Sequence, residues 1–345
     1  MCKLINKNSQ SLTGLTANRL AIIIKNKNMK SLIFLFILIF IDKCCYSQNY
    51  QNFNEGETFL TINGVDHWIK IKGIYNETIP IVIVHGGPGG HNYNFERTVG
   101  PLIEEYATVI YYEQRGCGRS KAPKDTTDYT ISTLISDLDG LREILGLEKM
   151  NLLGFSFGAE LSLRYTVKHR EFVNKLILSS PAELSTSTVL VQIQGLYSVA
   201  DENLRVEIEK ILMENTPIMS KLFKIWGKTS TSFFDRFSFV NPDAARLNRQ
   251  LWNESNLPHE GTPHFQNVIF KNSKGDLLEV VNGLETDCLI ISGIHDKNGG
   301  LHYGLYLNEI MPNSELKIYK QSAHFPDIDE SEKYAKDVKS FISDN

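Results

Sequence analysis

Gly154-Phe155-Ser156-Phe157-Gly158 follows a short apolar run, Met150 to Leu153, and opens a stretch of helical periodicity that continues to His169. A serine between two glycines at a strand-to-helix turn has the pattern of a nucleophile held on a sharp bend, where side chains at 154 or 158 would strike neighbouring backbone. A hydroxyl is a poor nucleophile until a base takes its proton, and the base needs a carboxylate to fix its tautomer. The order Ser, Asp, His is met further along. Asp296 follows the apolar run Cys288 to Ser292 across Gly293-Ile294-His295, and His324 follows Leu316 to Tyr319 across Lys320-Gln321-Ser322-Ala323. Ser156, Asp296 and His324 are the expected nucleophile, acid and base. Asp276 and Asp287 precede their strand and lie at its wrong end, His295 shares the acid's own loop, and Asp327 reads as a cap for the last helix.

Such a site also needs two N–H donors aimed at the developing oxyanion. The amide of Phe157, next after the nucleophile, is one. The second is expected from His85-Gly86-Gly87-Pro88-Gly89-Gly90, which ends the apolar run Ile81 to Val84. Stripped of side chains, this backbone lets a carbonyl approach. Gly87 is the expected donor, because Pro88 has no N–H; His85 and Gly86 shape the loop.

The elements that must position these residues alternate. Thr58 to Ile62 and Val65 to Lys72 read as a hairpin turning at Asn63-Gly64. Strands are then expected at Ile81–Val84, Thr108–Tyr112, Met150–Leu153 and Lys175–Leu178, with helices at Glu96–Tyr106, Ile131–Leu145 and Phe157–His169. From Pro181 to about Gly283 the pattern turns polar, aromatic and helix-like. Strand–helix alternation resumes at Cys288 and ends in an amphipathic helix at Ser331–Ile342. Near-continuous apolar strands separated by helices predict an α/β fold with a mostly parallel sheet covered on both faces. The expected division is a first core segment over 48–180, a helical cap insertion over 181–285 and a second core segment over 286–345.

The 345 residues carry a net charge of −4 and are 42% hydrophobic, an ordinary globular balance with no basic stripe to suit nucleic acid. Met29-Lys30 opens the apolar run Ser31 to Ile41, followed by Cys45-Tyr46-Ser47. This is the pattern of a signal peptide around residues 29–47, which predicts a secreted or periplasmic protein. The run is too short to span a bilayer, so no stable membrane span is expected; a lipoprotein or uncleaved anchor is the competing reading. Residues 1–28 form a basic N-terminal extension. Beyond residue 47 only Cys117 and Cys288 remain, which gives no disulfide framework. Neither CxxC nor HExxH occurs, so spacing supports no metal site, and the chemistry needs no cofactor.

His85-Gly86-Gly87-Pro88-Gly89, then Glu113-Gln114-Arg115-Gly116-Cys117-Gly118-Arg119-Ser120, then the Ser156 motif resemble the prolyl iminopeptidase family of α/β-hydrolases. The resemblance is close from Ile81 to about Ser180 and moderate around Asp296 and His324. It implies an α/β-hydrolase fold with a helical cap and a serine aminopeptidase acting on a small peptide or amide, preferably with N-terminal proline or a small apolar residue. It also implies acidic residues that hold the free amino terminus. Glu254, beside Trp252, is the candidate for that role from the cap; Lys297 reverses the charge next to the acid. Glu113 replaces the family's usual Asp, and Arg115 and Arg119 are expected to brace the loop. A carboxylesterase or other small-molecule serine hydrolase is the alternative on the same scaffold, and a non-catalytic binding homologue is a remote third.

Overall fold

Eight strands form one sheet in the order β1-β2-β4-β3-β5-β6-β7-β8. The structure, a computed structural model, describes residues 54–183, 185–257, 277 and 281–343. The expected leader and Asp276 lie outside the described residues. The strands are β1 (Gly56–Ile62), β2 (Val65–Lys72), β3 (Ile81–Val84), β4 (Val109–Tyr112), β5 (Met150–Phe155), β6 (Val173–Ser179), β7 (Cys288–Gly293) and β8 (Ser314–Tyr319). β1 and β2 pair antiparallel around Asn63-Gly64, both at positive φ, as a tight hairpin requires. β2 joins β4 antiparallel, and every pairing from β4 to β8 is parallel.

The apolar runs are continuous because the central strands are covered on both faces. Val82, Val84, Leu152 and Leu178 pack against the helices Ile131–Ile144 and Phe157–Lys168 on one side. Ile81, Ile83, Leu153 and Ile177 face Phe95, Ile103, Tyr334 and Val338 on the other. Cys117 and Cys288 are both free and buried. The helix expected at Glu96–Tyr106 is broken into a 3₁₀ turn, Phe95–Arg97, and a short helix, Gly100–Glu104. Pro101 explains the break: it sits in the first turn of the second helix, has no N–H to donate and would clash with the preceding turn of a continuous helix.

Between β6 and β7 the described chain forms five helices, Thr186–Val199, Glu202–Leu212, Ile218–Trp226, Thr231–Ser238 and Pro242–Ser255. The first four share an apolar core of their own, which includes Leu196, Ile208, Ile225 and Phe237. Among the described residues, no helix is long and apolar enough to cross a membrane.

Candidate active site

The candidate residues lie beyond the C-terminal ends of parallel strands, where the loops of an open α/β sheet converge. His85 follows β3, Glu113 follows β4, Ser156 follows β5, Asp296 follows β7 and His324 follows β8. Ser156 has φ 53° and ψ −119°, a conformation L-residues seldom adopt, and it caps the helix Phe157–Lys168. The flanking glycines make the bend possible. A Cβ on Gly158 would run into the carbonyl oxygens of Val84 and His85, and one on Gly154 would meet Ser162 Oγ at 2.6 Å and Ala159 Cα at 2.7 Å.

The structure brings Ser156, His324 and Asp296 into one hydrogen-bonded chain. His324 Nε2 lies 3.2 Å from Ser156 Oγ. On the far side of the ring, Nδ1 donates to the Asp296 carboxylate, 3.0 Å from Oδ2 and 3.1 Å from Oδ1. All three are buried. The amides of Asn298 and Gly299 donate to Asp296 Oδ1 at 2.7 and 3.1 Å. Burial pushes the Asp296 carboxyl upward. The charge and hydrogen bond of His324, together with those two amides, outweigh that and hold it below the usual carboxylate range. A carboxylate fixed in this way orients the imidazole with Nε2 free to accept the serine proton.

The glycine-rich loop lies against the elbow. A Cβ on Gly86 would meet the Phe155 carbonyl oxygen at 2.9 Å and Ser156 Cβ at 3.0 Å, while Gly87 adopts φ 129°. His85 is locked from both ring nitrogens. Its Nδ1 donates to the Gly86 carbonyl at 2.9 Å, and its Nε2 accepts the Gln114 amide at 3.1 Å. Burial, with Arg119 adding to it, lowers its pKa to about 4, so the ring is neutral. Gln114 Nε2 also donates to the His85 carbonyl at 2.8 Å. The sequence points to His85, Glu113, Arg115 and Arg119 as the residues that hold this loop. Gln114 makes the direct contact, and a lone glutamine in a loop gives no sequence signal of its own.

Glu113 and Arg115 act one layer further out. Glu113 is fully buried and accepts the amides of Arg119 at 2.5 Å and Asn92 at 3.3 Å, as well as the Arg119 guanidinium. That guanidinium lies 3.2 Å over the Trp68 ring. Arg115 makes a two-pronged pair with Asp137 at 2.5 and 2.6 Å, anchoring the loop to the helix Ile131–Ile144.

A cavity of about 180 Å³ opens on Ser156 and His324. Gly86, Gly87 and Gly90 line one side; Phe155, Phe234, Trp252 and Phe325 supply aromatic walls. Phe234 packs 5.1 Å from Trp252, and Phe155 packs 5.1 Å from Phe325, measured between ring centroids. Trp252 lines this cavity, and Glu254 does not. On the helix Pro242–Ser255, Asn248 and Trp252 are four residues apart and share the inward face. Glu254 is two residues past Trp252, exposed, bonded to Gln250 at 2.8 Å, and part of an outer surface with Arg246 and Arg249. Lys297 also stays out of the cavity: its ammonium folds back to the His295 carbonyl at 3.3 Å, and its stem packs against Gly195 of the cap.

Asp327 does not cap the last helix. Pro326 starts a separate short turn, Pro326–Asp329, and Asp327 is buried at the cavity wall. The neighbouring Asp329 ties the base's loop to the cap. Its carboxylate accepts the amide of Ala323 at 3.0 Å and those of Asn241 and Val240 at 3.0 and 3.3 Å. The His324 amide donates to the Ser238 carbonyl at 3.0 Å, a second tie.

A family model described as alpha/beta hydrolase fold matches residues 79–331. A proline iminopeptidase of Saccharolobus solfataricus is 26% identical over 306 residues, covering 84% of this chain and 93% of the relative. One of Clostridium botulinum is 27% identical over 288 residues, covering 77% and 90%. Among solved structures, a proline iminopeptidase-related protein from Thermus thermophilus superposes with a TM-score of 0.69 at 19% identity, covering 84% of this chain and 98% of its own, a likeness of fold. The chain belongs to the alpha/beta hydrolase family and is a serine hydrolase.

Proposed function

We propose that the protein is a serine aminopeptidase of proline-iminopeptidase type, releasing an N-terminal proline or small apolar residue from a peptide or amide. The observation that carries this reading is the chain Asp296–His324–Ser156 opening on an aromatic-walled cavity beside the Gly86-Gly87 backbone. Curated relatives named for proline iminopeptidase activity, matched along most of their length, support the choice of substrate.

Ser156 Oγ attacks the scissile carbonyl while His324 Nε2 takes its proton, and the Asp296 carboxylate stabilises the imidazolium that forms. The oxyanion is held by the amide of Phe157, which as the first residue of its helix has no intrahelical acceptor, and by that of Gly87. His324 then gives its proton to the leaving amine. The acyl-enzyme is hydrolysed by water along the same path in reverse. Phe155, Phe234, Trp252 and Phe325 receive the pyrrolidine ring or a small side chain, whose burial favours binding by about 25 cal/mol per Å² of apolar surface.

The test is turnover of Pro-, Ala- and Leu-arylamides against short acyl esters, with fluorophosphonate labelling as the measure of the nucleophile. Arylamide turnover and labelling should both vanish in Ser156→Ala. Ester cleavage without arylamide turnover would reject the peptidase reading and favour a carboxylesterase. That second reading draws on the outward position of Glu254, which leaves the cap without a carboxylate among the described residues lining the cavity. Well-folded protein that takes no label would favour a binding homologue. We further propose export directed by residues 29–47; N-terminal sequencing of protein from the extracellular or periplasmic fraction would show a start near residue 48, and a retained leader would overturn export with cleavage.

A further inference from the structure

Three buried polar atoms beside Ser156 find no partner within the described protein: Oδ1 of Asp327, Oδ1 of Asn94 and Nδ2 of Asn248. We propose that Asp327, assisted by Asn94, is a subsite that receives the substrate's free amino group, so that the catalytic base's own loop supplies an anion for it. This deepens the aminopeptidase reading and rests on it for the identity of the cation.

Asp327 is 5% exposed. One of its oxygens is occupied by its own backbone amide, and the other is unbonded. A carboxylate removed from water and left unpaired is destabilising. Burial, with the charge of Asp329 adding to it, pushes this carboxyl up to about 7. Neither lysine nor arginine occurs among the described residues that line the cavity, and Asp327 is the one carboxylate among them. A cation brought by the ligand would supply the partner that the fold omits.

The two asparagines refine the fit. Asn94 Nδ2 is committed to Asn248, 2.5 Å from its Oδ1 and 3.2 Å from its carbonyl oxygen, which leaves Asn94 Oδ1 as an acceptor and Asn248 Nδ2 as a donor. The ammonium of an N-terminal proline has two N–H bonds. Asp327 Oδ1 and Asn94 Oδ1 are two free acceptors for them. Asn248 Nδ2 is left to donate to a carbonyl of the same ligand. Asp327 is three residues beyond His324 on the same loop, and the α-amino group is two bonds from the carbonyl carbon that Ser156 attacks. An amine beside Asp327 therefore places the scissile bond at the nucleophile.

Competitive inhibition of p-nitrophenyl acetate hydrolysis by L-prolinamide and by N-acetyl-L-prolinamide tests this without requiring peptidase turnover; where the ester is not turned over, protection against fluorophosphonate labelling replaces it. Charge-assisted hydrogen bonds contribute about 1.5–3 kcal/mol, so Asp327→Asn should weaken prolinamide binding roughly 10- to 150-fold. The loss should be at least about threefold greater for prolinamide than for the acetylated amide or for labelling. Pro-arylamide kcat/KM should fall in parallel, with Asp327→Glu restoring part of it. Should Asp327→Asn label poorly, Asp327→Ser is measured in the same way. Unchanged prolinamide binding, or an equal loss for both amides and for labelling, overturns the proposal. Prolinamide binding that depends on Asp327 in a protein that cleaves no arylamide would reject the peptidase reading alone and leave the amine subsite standing.

Discussion

Replacing Arg115 by methionine asks how firmly the loop behind the oxyanion backbone is held. The Arg115 and Asp137 side chains are 2% and 0% exposed, and Arg115 meets Asp137 through both Nε and a terminal nitrogen. Methionine keeps most of the aliphatic volume and removes the fork. Asp137 then retains Asn63 Nδ2 at 2.9 Å, with His67 Nε2 at 3.5 Å. Removing one partner of a buried pair typically costs about 3–5 kcal/mol. At roughly 2 °C per kcal/mol for a chain of this size, Arg115→Met should melt about 6–10 °C below wild type. Arg115→Met combined with Asp137→Leu should recover most of that, because no charge is left stranded. His67 adds a pH signature. Burial keeps its ring neutral, helped by Arg115 and opposed by Asp137; without Arg115 it can take a proton and pair with Asp137. The loss should therefore be smaller at pH 5.5 than at pH 8. Thermal melts at both pH values, with the double variant alongside, decide the matter. A single variant within 1–2 °C of wild type, or a double variant no better than the single, would refute the reasoning.

Gln114→Ala frees the His85 carbonyl from its 2.8 Å bond and should slacken the oxyanion loop, lowering kcat about 10- to 100-fold with little change in KM; equal kcat in a protein with an unchanged melt would count against that role. Two buried groups should tilt stability with pH in opposite senses. His85 titrates near 4 in the folded state against about 6.5 unfolded, so stability falls by up to about 3 kcal/mol as pH drops from 6.5 through 4. Asp327 titrates near 7 against about 3.9 unfolded, so stability falls by up to about 4 kcal/mol as pH rises from 4 to 7. Urea midpoints between pH 4 and 7 should therefore rise more steeply with pH in Asp327→Asn than in wild type; equal slopes would contradict the Asp327 assignment.

The strand ends were legible because a buried parallel strand is a nearly pure apolar run, and glycines mark where backbone must approach backbone. That is why the strand pattern marks the loops, while the G-x-S-x-G motif and the order Ser, Asp, His select Ser156, Asp296 and His324 within them. What spacing could not fix was rotation about a helix. Glu254 and Trp252 are neighbours in sequence, yet helical periodicity turns them to different faces, and only packing shows that Trp252 is the inward one. Asp327 was misread because its distance from the last helix suits a cap, whereas Pro326 begins a turn of its own. Asn94, Gln114 and Asn248 left no trace, since amide side chains are common in loops and helices and acquire meaning only from unshared partners.

The order in which the site's parts occur along the chain has a consequence for synthesis. The elbow and the glycine loop follow β5 and β3 in the middle of the sheet, whereas the acid and base follow β7 and β8, the last two strands to be made. Until β7 and β8 are made, the proposed nucleophile has neither its acid nor its base. On the proposed mechanism, catalytic competence arrives only when β8 pairs with β7 and brings His324 to Ser156, so chains cut short before β8 should be inert.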